Sequence, residues 1–481
     1  MLSFISLQEV VPRMPESPFS QAINWNINTG EIWTVLGPNG SGKTLLSEII
    51  CGSYGLQSGT IDYPFLNELR NQYPGKTFWP SKFIHIVHFN AVYSMADFRG
   101  MYYQQRYNST EAETAPLVSD LLSGIGNDQQ LRETITQFLP IENLMGKRLI
   151  HLSSGELRKV LIAKVLLLHP RMLIFDNPFI GLDVQSREQL NKIFVQLNQS
   201  GIRLMFLVPS FKDIPACTTQ ILHMEHCRIT GISNPDNIQK AITSNPILDI
   251  DWTKMPAMKT DYSDVVNMKN LTVRYGEHVV VSNINWHISH GEKWALLGPN
   301  GSGKSTLLSF IFGDHPQAYS QPLILFDKQR GTGESIWDIK KQIGFTSSEM
   351  HLYYRENVSC LKVVASGFFD SIGLFRQCSE EQLQIVEQWF SLLGVSHLME
   401  RSFLHISSGE QRFMLFIRAL VKNPGLLILD EPFHGLDASR KAICTVIVES
   451  FCNQADKTLI YVTHRREEIP VCVTHFMELK K

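Results

Sequence analysis

One stretch of this sequence occurs twice without a gap. HLSSGELRKVLIAKVLLLHPRMLIFDNPFIGLD runs from His151 to Asp183, and HISSGEQRFMLFIRALVKNPGLLILDEPFHGLD runs from His405 to Asp437. Upstream of each copy stands a glycine-rich loop, GPNGSGKT at Gly37–Thr44 and GPNGSGKS at Gly298–Ser305. A chain that repeats a whole pattern in the same order is expected to fold as two related units. MLIFD and LLILD are unbroken apolar runs of strand length, suited to a parallel sheet covered on both faces. The preceding GELRKVLIAKVLLL and GEQRFMLFIRALV have helical spacing. Strands alternating with helices predict an α/β fold, two domains in tandem, each with a mainly parallel, doubly wound core. The expected boundaries are 1–229 for the first domain, 230–264 for a linker of mixed Pro, Asn, Ser and Asp, and 265–481 for the second.

Both loops fit G-x-x-x-x-G-K-[ST], the P-loop pattern. Glycines let the backbone take φ-positive turns and aim N–H groups at phosphate oxygens, and the helix that follows adds its positive dipole end. The candidate nucleotide-binding residues are therefore Gly37, Pro38, Asn39, Gly40, Ser41, Gly42, Lys43 and Thr44 in the first loop. In the second they are Gly298, Pro299, Asn300, Gly301, Ser302, Gly303, Lys304, Ser305 and the following Thr306. Lys43 and Lys304 can reach the β- and γ-phosphates, and the hydroxyls of Thr44 and Ser305 can ligate Mg2+.

Composition narrows the partners. Hydrophobic residues make up 43% and charged residues 19%, with a net charge of −2 and no long basic run. This disfavours nucleic acid, whose phosphates need clustered Lys and Arg. No segment reaches the ~18 uninterrupted apolar residues of a membrane helix, and MLSFISLQEVVPRMPESPFS has no secretory pattern. The eight cysteines show no C-x-x-C pairing, as in a reduced, cytoplasmic protein. His223, His226 and Cys227 in ILHMEHCR, and His85 and His88 in FIHIVHFN, look metal-like but read as strand residues.

P-loop, SSGE, apolar run ending in Asp, and GLD, at these spacings and in both halves, resemble the ABC ATPase family. The resemblance implies a β subdomain and a helical subdomain in each domain. It also implies ATP and Mg2+ as cofactors, and two domains pairing head to tail. Each ATP would then meet the P-loop of one half and the signature helix of the other, Lys43 with Ser407, Ser408, Gly409 and Glu410, and Lys304 with Ser153, Ser154, Gly155 and Glu156. Asp183 and Asp437, closing the two GLD motifs, are carried over as nucleotide-side residues. GDHPQAYSQPLILF and GTGESIWDIKKQIGFTSS resemble one bacterial tandem type named for molybdenum transport, a name that does not settle what is moved.

The two sites are expected to differ. Around Lys304, the resemblance makes Asp430 the metal-side carboxylate, Glu431 the group that polarises the attacking water, His464 the γ-phosphate contact and Tyr275 the adenine-stacking aromatic. Around Lys43, Asp176 is kept, but Asn177 replaces the glutamate, Pro209 or Ser210 the histidine, Met14 the aromatic and Leu45 the second threonine. An amide cannot accept a proton at neutral pH, so hydrolysis is expected mainly at the second P-loop. The family's Q-loop glutamine maps to Ser348 and to Phe89 or Asn90. The implied function is the energy-coupling ATPase of an ABC transporter, cytoplasmic or peripheral on the inner face of the plasma membrane, with separate membrane-spanning subunits. The alternatives are a soluble ABC protein acting on ribosomes or nucleic acid, and a regulatory ATPase.

Overall fold

The computed structural model describes residues 2–14, 19–89, 116–123, 125, 129–149, 152, 154–237, 248, 250–256, 260–275, 278–347, 350–354 and 357–480. The described chain forms two compact units, the first drawn from Met1–Arg99 and Thr114–Ile242, the second from Thr243–Lys481. The division at 242 falls inside the stretch expected as linker. Strand β9 (Arg228–Ser233) still belongs to the first unit's sheet. Trp252 already packs on Trp389 and Phe451 of the second unit.

In the first unit, β1 (Ser3–Pro12), β2 (Ile23–Asn28) and β4 (Leu56–Asp62) form an antiparallel sheet in the order β2-β1-β4. The main sheet runs β5-β6-β7-β3-β8-β9. It comprises β3 (Trp33–Leu36), β5 (Ile84–His88), β6 (Met172–Asp176), β7 (Arg203–Val208) and β8 (Gln220–Glu225), all parallel, with β9 antiparallel at the edge. Alternation along β6 explains its unbroken apolar run. Leu173 and Phe175 join a core with the helices Ser154–Leu166 and Val184–Gln199, whereas Met172 and Ile174 join a core with the helix Lys43–Ile50. Each such side chain contributes roughly 1.5–3 kcal/mol on burial.

The second unit repeats the plan. An antiparallel sheet of β10 (Asp264–Tyr275), β11 (His278–Ser289), β13 (Leu323–Leu325) and β14 (Lys328–Gln329) lies in the order β11-β10-β13-β14. A five-stranded parallel sheet runs β15-β16-β17-β12-β18, with β12 (Lys293–Leu297), β15 (Ile343–Ser347), β16 (Leu426–Asp430), β17 (Thr458–Thr463) and β18 (His475–Glu478). Helices Cys360–Ala365 and Glu380–Leu392 stand between β15 and the helix Ser408–Leu420, where a helical subdomain was expected. Among the described residues no helix is long and apolar enough to cross a membrane.

Helix starts are fixed by side chains. Asp183 Oδ1 accepts from the Ser186 amide at 2.8 Å and Asp437 Oδ1 from the Arg440 amide at 2.9 Å, so both are N-caps. Ser407 and Glu410 form a reciprocal capping box at the start of Ser408–Leu420. Gly344 lets that helix settle on β15, because a Cβ there would lie 2.1 Å from the Ala419 carbonyl oxygen. Gly344→Ala should destabilise the second unit by about 1–3 kcal/mol. Thermal unfolding should show a lowered midpoint, and an unchanged one would mean that the helix has room to spare.

Candidate functional site

Each P-loop joins the end of a parallel strand to a helix. In the first unit β3 leads into Gly37–Gly42 and then the helix Lys43–Ile50, and in the second β12 leads into Gly298–Gly303 and then Lys304–Ile311. Gly42 and Gly303 precede their helices at φ +90° and +91°, a conformation that a Cβ would strain. Gly37 passes so near β8 that a Cβ would meet the Met224 carbonyl oxygen at 2.1 Å. Lys43 Nζ donates to the carbonyls of Gly37 and Pro38, each at 2.7 Å. Lys304 Nζ does the same with Gly298 at 2.7 Å and Pro299 at 2.9 Å. Both ammoniums are therefore buried inside their own loops.

Opposite each lysine, the strand next but one in the sheet ends in an aspartate. Thr44 Oγ1 donates to Asp176 Oδ2 at 3.3 Å, and Ser305 Oγ to Asp430 Oδ2 at 3.5 Å. A hydroxyl and a carboxylate this close give an all-oxygen pair that fits one edge of a Mg2+ coordination shell. In the first unit Asp176 also meets His88 Nδ1 at 3.3 Å and Asn177 Nδ2 at 3.2 Å. Burial works against the charged imidazole, but the hydrogen bond and charge of Asp176 prevail and raise the His88 pKa.

Strand register settles the Q-loop position. Ile84 pairs with Met172 and His88 with Asp176, as Ile343 pairs with Leu426 and Ser347 with Asp430. Phe89 is therefore the counterpart of Ser348, which, like Asn90, lies outside the described residues. Phe89 is buried, stacks on Phe175 at 6.0 Å and lies under the Arg158 guanidinium at 5.1 Å. It offers no ligand atom.

The residues after the two aspartates differ most. Asn177 and Glu431 share one backbone conformation, φ +52° and +50°. Each hangs its amide on the neighbouring strand, Asn177 on Leu207 and Glu431 on Val462, at 2.9 Å. Glu431 lies between two imidazoles. His464 Nδ1 lies 3.0 Å from Oε1 and His434 Nδ1 2.7 Å from Oε2. Burial alone would raise the Glu431 pKa. The charge of His434 and the contacts with both rings outweigh it and hold the carboxyl well below the ordinary range. His464 Nε2 is buried without a hydrogen-bond partner. His434 was missed by the sequence reading, although EPFHGLD beside NPFIGLD shows a histidine only where the glutamate stands.

The signature helices are anchored to the same turns. Arg412 donates to the His434 carbonyl at 3.2 Å. Arg158 Nε donates to the Pro178 carbonyl at 3.0 Å, and its terminal nitrogen bonds the Ile180 carbonyl. Glu410 accepts from the Ser407 amide at 2.9 Å and from Arg440 at 3.2 Å, and Ser408 and Gly409 open the helix. Glu156 accepts from Lys147 at 2.9 Å, and Gly155 faces Ser186. Ser153 and the side chains of Ser154 and Tyr275 lie outside the described residues, although Tyr275 ends β10.

A parallel sheet with a P-loop at one strand end and a strand-end aspartate beside the loop's hydroxyl defines a P-loop nucleotide-binding protein, built here twice. The family profile described as ABC transporter matches residues 20–180 and 281–434. The ABC transporter ATP-binding protein ModF of Escherichia coli (strain K12) is 33% identical, over 99% of this chain and 97% of that protein. An ABC transporter ATP-binding protein of Schizosaccharomyces pombe is 29% identical, over 98% of this chain and 97% of that one. The fold is also similar to a structure of ribosome-bound archaeal Pelota and ABCE1, with TM-score 0.56 and 18% identity, over 96% of this chain and 74% of that one. The chain belongs to the ABC transporter family, as a tandem pair of its ATP-binding domains.

Equilibrium dialysis with a slowly hydrolysed ATP analogue should find two nucleotides per chain. Lys43→Ala and Lys304→Ala should each leave one, and the double variant none. Retention of both in either single variant would detach that lysine from nucleotide binding.

Proposed function

We propose that this chain is an ATP-hydrolysing tandem subunit that energises an ABC transporter through separate membrane-spanning subunits, with turnover mainly at the second P-loop. The observation that carries the reading is the Glu431 carboxylate flanked by His434 and His464, where the first unit has Asn177, Ile180 and, by strand register, Pro209.

In this reading Lys304 exchanges its loop carbonyls for the β- and γ-phosphates of ATP, and the loop amides cradle them. Ser305 and Asp430 would hold Mg2+, which when bound offsets charge between those phosphates. Glu431 orients and polarises the water. With both histidines in place its depressed pKa makes it a weak proton acceptor. His464 Nε2 is the donor left for a γ-phosphate oxygen. At the first site Thr44 and Asp176 can still hold Mg2+, but Asn177 can only orient water. That site binds ATP and hydrolyses it poorly. The signature residues of each half are proposed to complete the ATP site of the other, Ser407–Glu410 for Lys43 and Ser153–Glu156 for Lys304. The support is that one chain carries both P-loops and both signatures.

Glu431→Gln should lower turnover by ~10²–10⁴, whereas Asn177→Ala should hardly change it. Near-normal turnover of Glu431→Gln would overturn the asymmetry. Coupling to a membrane partner rests on family membership, and the Phe89 and Ser348 replacements weigh against it in favour of a soluble role. Affinity capture in mild detergent should bring down a multi-span protein. Reproducible recovery of ribosomes or nucleic acid without one would move the assignment to the soluble class.

A further inference from the structure

We infer that Glu431, His434 and His464 form a binding site for a borderline divalent cation of the zinc class, distinct from the Mg2+ position at Ser305 and Asp430. Two imidazole nitrogens and one carboxylate oxygen lie within 4.8 Å of one another. The separations to Glu431 are 2.7 and 3.0 Å. Zinc holds nitrogen and carboxylate oxygen at roughly 2.0–2.2 Å, so small side-chain rotations bring all three donors onto one ion. His434 Nδ1 lies beside Oε2 yet is out of line for a hydrogen bond. Its position suits a shared ion better than a shared proton.

The donor chemistry separates this site from its neighbour. Ser305 and Asp430 offer oxygen alone, which suits Mg2+, whereas two imidazoles with a carboxylate suit Zn2+ and its transition-metal relatives. The donors are also preorganised. Their side chains are 4–12% exposed, and they leave the ends of β16 and β17 or the turn that follows β16. Three protein ligands leave one position open for water. The first unit has none of the three, so one chain provides one site.

A cation held here removes the Glu431 carboxylate from water and so brakes hydrolysis reversibly. That consequence rests on the proposed role of Glu431, whereas the binding does not. The test is titration of the nucleotide-free full-length chain with Co2+, read by its electronic absorption, followed by competition with Zn2+. The expected result is one equivalent bound through nitrogen and oxygen, with no thiolate-to-cobalt band from the eight cysteines. His434→Ala should weaken binding by more than the ~10–100-fold that loss of an outer-shell partner costs, and should still bind two nucleotides. If that variant does not fold, His434→Gln takes its place. No uptake, uptake through thiolates, or undiminished binding by the folded variant overturns the site. In a parallel assay with Mg·ATP, saturating Zn2+ should stop turnover and a chelator should restore it. Binding without inhibition overturns the brake alone. Absence of turnover in zinc-free wild type supplied with Mg·ATP would overturn the ATPase reading and leave the binding result standing.

Discussion

The left-handed turn that ends the second strand of each parallel sheet determines what each site can do. An aspartate closes the strand, and the next residue leaves it at positive φ, costly for glutamate and easier for asparagine. A strand buried on both faces and hydrogen-bonded along its length on both sides holds that geometry. The same turn therefore appears in both units, although only one carries a carboxylate. The scaffold outlasts the chemistry because register and core packing maintain it, and these do not depend on the side chain at the turn.

The local parts of this architecture were legible in the sequence. Glycines at φ-positive positions and unbroken apolar runs each report a short-range constraint, and each lies where that constraint predicts, whereas Asp183 and Asp437, expected on the nucleotide side, cap helices. What depended on strand pairing was not legible. Only the registers His88–Asp176 and Ser347–Asp430 distinguish Phe89 from Asn90 as the counterpart of Ser348. His88 read as an ordinary strand residue, and it is one, yet its ring meets the Asp176 carboxylate because the strands run in step. His434 was passed over, because its part depends on β17 bringing His464 to the other side of Glu431.

The two halves differ in how their polar groups are paired. In the second unit the carboxylate after β16 faces two rings and stays ionised against the cost of burial. In the first, the amide of Asn177 turns back onto Asp176, and His88 approaches the same carboxylate from β5. The polar atoms at this turn face two imidazoles in one half and the strand-end aspartate in the other.

The arginines of the two signature helices act as push-rods. Arg412 and Arg158 grip the carbonyls of the turns just beyond Glu431 and Asn177. A helix that shifts along its axis must drag its own turn with it, because a buried guanidinium cannot abandon its acceptors cheaply. Displacement at the head of the helix thus becomes displacement of the turn beyond Asn177 or Glu431. The first unit has this linkage too, although Asn177 stands at its turn. A pull on either helix is therefore conveyed to its turn, whichever side chain that turn carries.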